Sequence, residues 1–116
     1  MRLAFFINVM KGDELAALDT FKKYGEISGN WTTEEADSAF LVDKIDGLLK
    51  LGVKFEKSKY YKAKFYALLG EVDLAVDLLD SMLQAGSFHP YYITSRMFEK
   101  LRFHPRYIAI LDSIGL

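Results

Sequence analysis

The sequence contains no cysteine, and only two of its 116 residues are proline, Pro90 and Pro105. The lack of cysteine excludes disulfides, thiolate nucleophiles and cysteine-ligated zinc, and it agrees with a reducing compartment. The lack of proline before position 90 leaves that part of the chain free of the strongest helix breaker. The scarcity of proline favours helices, which glycines can join by short turns.

Neither sign of charge is in excess, because the net charge is −1 with 27% charged residues. Nucleic-acid and anionic-membrane surfaces depend on accumulated Lys and Arg, so we expect neither a nucleic acid nor a membrane as partner. No apolar run approaches the roughly 20 residues that span a bilayer. Polar residues also follow the apolar opening, residues 1–7, too soon for a signal peptide. We therefore expect a soluble, cytoplasmic protein.

Hydrophobic spacing and capping residues predict a series of helices. Residues 2–10 are rich in Phe, Ile and Val, which on their own leave helix and strand both open. Asp13 is a good N-cap, and Thr32 opens a capping box that closes at Glu35, with Trp31 placed to pack onto Ala36. Helices are expected over 14–24, 33–51 with Gly52 as terminator, 58–69 with Ser58 as cap, and 72–85, with a polar loop over 25–31.

The tail contains a short internal repeat. Phe88-His89-Pro90 is followed 15 residues later by Phe103-His104-Pro105. Proline is favoured at the first position of a helix, because the N–H that it lacks has no partner there. The repeat predicts two short helices that begin in the same way.

One pattern occurs twice in the chain, around Gly12 and again 58 residues later around Gly70. In both copies a glycine ends one helix and an acidic residue opens the next. An alanine, Ala17 or Ala75, follows the glycine by five places. A repeated signal of this kind predicts a repeated structural unit.

The second copy resembles the tetratricopeptide repeat, a helix–turn–helix unit of about 34 residues. The residues that carry the resemblance are Ala63, Tyr66, Gly70, Ala75, Leu79 and Met82. The resemblance implies an all-α fold of six or seven helices in antiparallel pairs. We expect one domain over 1–116, with a degenerate repeat at 1–51, the best repeat at 57–84 and C-terminal capping helices at 88–116.

The tail beyond residue 85 resembles the closing segment of tetratricopeptide regions in larger bacterial signalling and regulatory proteins. Pro105-Arg106-Tyr107 and Ile114-Gly115-Leu116 carry this resemblance. Repeat arrays usually need more than two or three units to bury their faces. We therefore expect that the chain is the tail of a longer array or that it self-associates.

No combination of residues with catalytic spacing is present, so we expect no enzyme. His89 and His104 are the only histidines and lack the further ligands of a metal motif. Asp73, Asp77 and Asp80 share one face of a predicted helix, where a solvated surface is a simpler interpretation than a cation site. We expect neither a metal nor a cofactor.

Lysines are frequent at the start of the predicted helix 58–69. By resemblance to the family, the groove-facing positions of the leading helices place cations beside aromatic and apolar side chains, which suits a segment carrying Asp or Glu. The alternative is that these lysines form only a solvated flank. The candidate partner-binding residues are Lys57, Tyr60, Lys64 and Leu68 in the second copy and Arg2 and Phe6 in the first.

These observations favour a non-catalytic module that binds a segment of another protein. The alternative is a structural C-terminal domain that self-associates as a homodimer and has no peptide ligand. The paired asparagines of the family's chaperone-binding clamp are absent, because Phe6, Tyr61 and Lys64 occupy those positions. The resemblance therefore does not predict a receptor for chaperone tails.

Overall fold

Every regular element is helical in a computed structural model of the chain, which describes residues 2–86 and 96–114 apart from the side chains of Arg2, Arg96 and Met97. The all-α prediction is confirmed. No described helix has both the length and the apolar character needed to cross a membrane. The elements are α1 (Arg2–Lys11), α2 (Glu14–Ser28), α3 (Thr33–Phe55), α4 (Lys59–Leu69), α5 (Val72–Gln84), a 3₁₀ helix (Arg96–Leu101) and α6 (Pro105–Ser113).

The chain divides into two compact units, Met1–Phe55 and Glu56–Leu116, where the sequence indicated one domain. In the first unit α2 packs against both α1 and α3. In the second unit α4 packs against α5 and the 3₁₀ helix, and α5 also packs against α6. Each unit therefore begins with a helical hairpin, α1–α2 or α4–α5.

The predicted caps agree with the structure. The side chain of Asp13 accepts a hydrogen bond from the Ala16 N–H at 3.1 Å. The capping box of Thr32 and Glu35 forms in both directions, at 3.0 and 3.1 Å. Ser58 is the N-cap of α4. Each cap satisfies backbone N–H groups that the first helical turn leaves without partners.

The turn of the first hairpin is closed by two backbone hydrogen bonds. The N–H of Gly12 donates to the Val9 carbonyl at 3.0 Å, and the N–H of Asp13 donates to the Asn8 carbonyl at 3.1 Å. Gly12 has a φ of 74°, in the left-handed region that favours glycine. The segment 2–10, for which strand and helix were both open, is therefore the first arm of a hairpin.

The turn of the second hairpin has the same bonds. The N–H of Gly70 donates to the Ala67 carbonyl at 3.1 Å, and the N–H of Glu71 donates to the Tyr66 carbonyl at 2.9 Å. Gly70 has a φ of 83°. The repeated sequence pattern thus corresponds to a repeated backbone structure.

The second helix is longer than predicted, because Gly25 does not end it. The helix continues to Ser28 and ends at Gly29, which has a φ of 74°. Gly25 is buried instead, and a Cβ there would overlap the ring of Trp31. The prediction of a loop over 25–31 was therefore wrong for residues 25–28, since this glycine serves close packing and not helix termination.

The third helix also differs from its prediction. It passes through the buried Gly52 and ends at Phe55, so Gly52 is not its terminator. Its regular geometry breaks at Asp43 and Lys44, where Lys44 has a φ of 54° and a ψ of −132°. Gly47 follows this break, and a Cβ there would overlap the Ala39 carbonyl. No glycine or proline at 43–44 marks the break in the sequence.

The cores of the two units differ in composition. Aromatic rings dominate the first, where Phe21 and Trp31 stack with centroids 4.2 Å apart and the Trp31 N–H donates to the Phe21 carbonyl at 2.9 Å. Alanine and aliphatic side chains dominate the second. The buried cluster of the second unit consists of Ala63, Ala67, Ala75, Val76, Leu79, Phe98, Leu101, Tyr107 and Ile110.

The final helix begins at Pro105 with His104 as its N-cap, as the internal repeat predicted. The helix predicted to begin at Pro90, together with His89, lies outside the described residues.

Candidate functional site

The predicted binding residues belong to two helices in separate units. Arg2 and Phe6 lie on α1, whereas Lys57, Tyr60, Lys64 and Leu68 lie on or directly before α4. We therefore consider each helix by itself.

The start of α4 is held by two side chains. The hydroxyl of Ser58 accepts from the Tyr61 N–H at 3.4 Å. The carboxylate of Glu56, which is buried, accepts from the N–H groups of Lys57 and Ser58, both at 3.1 Å. These bonds orient the backbone on which Lys57 lies, and Lys57 itself is exposed.

Lys64 is buried, with 8% of its surface exposed. Its ammonium lies over the rings of Tyr60 and Tyr61, at 4.3 and 5.2 Å from their centroids. Burial lowers the pKa of Lys64 to about 8, because a charged amine is less stable away from water. The prediction that Lys64 presents a cation on an open groove was therefore wrong.

Tyr60 and Leu68 are half-buried on the same helix. The Tyr60 ring lies 6.0 Å from the ring of Phe98 in the 3₁₀ helix. The ammonium of Lys100, in the same 3₁₀ helix, donates to the Leu68 carbonyl at 3.0 Å. Part of the face predicted to bind a partner thus packs against the chain's own 3₁₀ helix.

Phe6 is also in a core, with 1% of its surface exposed. Its ring lies 5.3 Å from that of Phe5, which in turn lies 4.9 Å from that of Phe21. Phe6 therefore lines no open groove, and the prediction that it binds a partner was wrong. The side chain of Arg2 is not among those described.

Phe6 and Lys64 occupy equivalent places in the two hairpins, each six positions before the turn glycine. Both were assigned to the groove by resemblance, and both are buried. The family's groove numbering is therefore wrong for this chain at that position. The 58-residue offset was the signal that could have predicted the burial of Lys64. It aligns Lys64 with Phe6, and a phenylalanine is usually buried.

The three aspartates of α5 are paired with the start of α6. The Nε2 of His104 lies 2.6 Å from the Asp73 carboxylate. Arg106 bonds Asp77, and its second guanidinium nitrogen lies 3.6 Å from Asp80. Asp73 and Asp77 are exposed and Asp80 is half-buried, so this face is largely solvated, as the sequence indicated. Its carboxylates also pair with the start of α6, which the sequence did not show.

The same imidazole of His104 serves two helices. Its Nδ1 accepts from the Arg106 N–H at 3.2 Å and so caps α6. A neutral ring that accepts at Nδ1 carries its proton on Nε2, which donates to Asp73. His104 therefore has a structural role that leaves it little capacity to hold a metal.

Three lysines of this region remain available. Lys57 and Lys59 are exposed and Lys62 is half-buried. The ammonium of Lys59 donates to the Ser81 hydroxyl at 2.9 Å, which leaves its charge uncompensated. Within the described part of the chain, no carboxylate forms an ion pair with any of the three. We call Lys57, Lys59 and Lys62 the α4 lysine cluster.

A cleft of about 220 Å³ lies between α5 and α6. Sites for small organic ligands are usually larger, at about 300–1,000 Å³. Its Arg106 is already bonded to Asp77, which further reduces what it can offer a ligand. The cleft is lined by Asp80, Leu83, Gln84, Arg106, Ala109, Ile110 and Ser113.

Among residues 2–86 and 96–114 no group of three or more His, Asp or Glu side chains could hold a metal ion. No family model, curated protein or solved structure matches the chain. The likeness to the tetratricopeptide repeat thus stays a prediction, and the function is argued from the surface itself.

Proposed function

We propose that this chain is a non-catalytic, tetratricopeptide-like interaction module whose second unit binds an acidic segment of a partner protein. The binding surface is the α4 lysine cluster, and the half-buried Tyr60 and Leu68 lie on the same helix. The absence of cysteine agrees with a cytoplasmic module, and the tail's resemblance favours a role in a bacterial regulatory protein.

The observation that carries the proposal is the unequal pairing of charge in the second unit. Within the unit, the aspartates of α5 have partners in His104 and Arg106. The lysines of the α4 cluster have no such partners among the described residues, so this helix presents net positive charge to solvent. A surface of this kind favours and steers an acidic partner.

The role of individual residues differs from the sequence prediction. Lys64 does not contact the partner, since it is folded under two tyrosines. Lys57 and Lys62 supply charge, while Tyr60 and Leu68 offer their exposed halves as apolar contacts. Because exposed ion pairs each contribute little, about 0.2–1 kcal/mol, several must act together and binding must weaken with salt.

The proposal is tested by titrating the full chain with a labelled synthetic peptide of alternating Glu and Leu. A peptide of alternating Lys and Leu is the control for charge. We expect the acidic peptide alone to bind, and to bind more weakly as salt is raised.

The double variant Lys57→Glu, Lys62→Glu should reduce affinity for the acidic peptide about tenfold, since each reversal replaces attraction with repulsion. Lys23→Glu, an exposed lysine of the first unit, is the matched control and should leave affinity unchanged. Equal affinity of the double variant and the wild type, or equal binding of both peptides, would remove this assignment.

A further inference from the structure

The third helix is bent back on itself. Gly47 packs so closely on the Ala39 carbonyl that a Cβ at Gly47 would overlap it. In a straight helix, residues eight apart are separated by about 12 Å. Only Asp43 and Lys44 within α3 have non-helical dihedral angles. The chain therefore reverses at these two residues, which we call the α3 hinge.

The hinge joins two helical arms of the first unit. The first arm, 33–42, contains the Ala39 carbonyl, and the second arm, 45–55, contains Gly47. Their contact at these two residues is closed and intramolecular. Each arm thus carries one half of a surface that fits the other half.

The hinge conformation is strained at Lys44. Its φ of 54° and ψ of −132° are close to those of the first central residue of a type II′ turn, a position that favours glycine. A side chain with a Cβ adopts this region only at a cost. Among the residues that the structure describes, Lys44 is the only non-glycine with a positive φ.

The local sequence permits a straight helix instead. Residues 33–46 contain neither glycine nor proline, and rotation at the hinge alone would make α3 continuous. Two contacts fasten the bend: Lys50 pairs with Asp43 at 2.9 Å, and the Lys44 ammonium lies 5.0 Å from the centroid of the Phe40 ring. Contacts of exposed lysines such as these are weak.

We propose that two copies of this chain exchange the arms of α3, each copy having its α3 straightened into one continuous helix. Straightening separates the arms and exposes the surfaces that meet at Ala39 and Gly47. A second straightened copy offers the same surfaces, so each first arm packs on the other copy's second arm through the same contact. The dimer keeps that contact and releases the strain at Lys44, and short strained hinges favour such exchange. The proposal does not rest on the α4 lysine cluster.

The exchange also brings apolar side chains of the two copies together. Leu41 and Val42, directly before the hinge, are 80% and 84% exposed. The two rebuilt pairs of arms are related by a twofold axis, and the two hinges lie beside that axis. Leu41 and Val42 therefore lie near their counterparts in the dimer and lose exposure to water, which stabilises it.

The hinge residue provides the first test. The full chain is concentrated in mild urea so that the arms can open, returned to buffer, and measured by size exclusion with light scattering. The wild type should yield a dimer. Lys44→Gly should raise its dissociation constant about hundredfold, because glycine fits the bend and weakens the straight helix, at about tenfold for each of two hinges.

Lys44→Ala is the matched control, since it also removes the ammonium but keeps the Cβ. Its dissociation constant should stay within about threefold of the wild-type value. Equal constants for Lys44→Gly and Lys44→Ala, or a wild type that forms no dimer, would overturn the proposal.

A distance within one copy tests the straightening itself. Glu34 and Lys54 are exposed, and the chain has no cysteine, so Glu34→Cys, Lys54→Cys can be spin-labelled at these two sites alone. The sites are 20 residues apart, which corresponds to about 30 Å in a straight helix. With an excess of unlabelled chain, the dimer should show about 30 Å and the monomer a shorter distance. A dimer that keeps the monomer's distance would contradict arm exchange.

The contact beside the axis has its own variant. Val42→Glu should raise the dissociation constant at least fivefold, since it places two like charges near each other. Leu15→Glu, at a 74% exposed site on α2, is the matched control and should have no effect. Equal effects of the two would contradict the hinge contact. The variant Lys57→Glu, Lys62→Glu should dimerise normally, so loss of peptide binding and loss of dimerisation report on separate proposals.

Discussion

The two helical hairpins have the same turn and different interiors. Around Gly12 and around Gly70 the backbone forms the same pair of hydrogen bonds and the same left-handed glycine. Seven residues before the glycine, however, the first hairpin has Phe5 and the second has Ala63, both 0% exposed. Nine residues after it, the first has Phe21 where the second has Leu79. The comparison separates what a turn specifies from what packing specifies.

The same comparison applies to the next position along each first helix. Phe6 is buried among aromatic rings, and its equivalent Lys64 is buried beneath two tyrosines. Burial is therefore common to this position, while the chemistry of the side chain is not.

The largest change in stability is expected from exchanging Phe5 and Ala63, the residues that lie seven positions before the turn glycines. Phe5→Ala should lower the free energy of unfolding by about 3–5 kcal/mol, because it removes a buried ring and leaves a cavity. The reverse change, Ala63→Phe, should destabilise by about 1–3 kcal/mol, because no space exists for the ring. Urea titrations measure both. If Ala63→Phe were neutral, helices α4 and α5 would not pack closely at Ala63.

Removing the buried charge should stabilise the second unit. Lys64→Met keeps the apolar stem and eliminates an ammonium buried at 8% exposure, so we expect a gain of about 2 kcal/mol at pH 7. Lys57→Met, at an exposed site, is the control and should have almost no effect. Destabilisation by Lys64→Met would show that contacts of the ammonium outweigh its desolvation.

Lys64 should also make the free energy of unfolding of the wild type depend on pH. The folded pKa of Lys64 is about 8, below its ordinary value of 10.5, so below pH 8 both folded and unfolded states are protonated and the penalty is fully present. Between about pH 8 and 10.5 the unfolded state holds more protons than the folded state, so the free energy of unfolding should rise with pH. The raised pKa of Tyr107, which burial causes, acts in the opposite direction only above pH 10. Lys64→Met should abolish the rise, and an unchanged slope would contradict the assignment.

Replacing either turn glycine by alanine should lower the stability by the same amount. Gly12→Ala and Gly70→Ala each force a Cβ into the left-handed region at φ of 74° and 83° and should cost about 1–2 kcal/mol. A Cβ meets no neighbour at either position, so the cost is purely that of the backbone. Costs that differ by more than about 1 kcal/mol would mean that the turns are not energetically equivalent.

The smallest change in stability is expected at Asp13 and Glu71, the residues that directly follow the turn glycines. Asp13 accepts a hydrogen bond from the Ala16 N–H, whereas Glu71 makes no side-chain cap. Asp13→Ala should therefore cost about 0.5–1 kcal/mol and Glu71→Ala almost nothing. Glu71→Asp should gain a few tenths of a kcal/mol if it adopts the same cap, and thermal melts can rank all three.

Features set by neighbours in sequence could be predicted from the chain alone. The caps at Asp13, Thr32 and Ser58 and the turns at Gly12 and Gly70 depend on residues within one helical turn. The same applies to the helix that begins at Pro105. Local hydrogen bonding is sufficient to specify each of them.

Features set by contacts outside the local helix could not be predicted from the sequence. Gly25 looks like a helix terminator until Trp31 is seen to pack on it. The bond between Asp73 and His104, 31 residues away, has no signal in the sequence around Asp73. Lys64 looks like a surface lysine, because no local pattern shows that the helix turns this position inward. For Gly25 and Asp73 the deciding contact reaches a residue outside their own helix, whereas for Lys64 the burial of one side of its helix decides.

The function proposed for α4 depends on which lysines reach solvent. The most direct test is a residue-resolved NMR titration of the chain with the acidic Glu–Leu peptide. The account predicts that the largest shifts map to Lys57, Lys59 and Lys62 and to Tyr60 and Leu68 of the same helix. Shifts confined to α5 and α6 would contradict the account. An acidic peptide that causes no more shifts than the Lys–Leu control peptide would also contradict it.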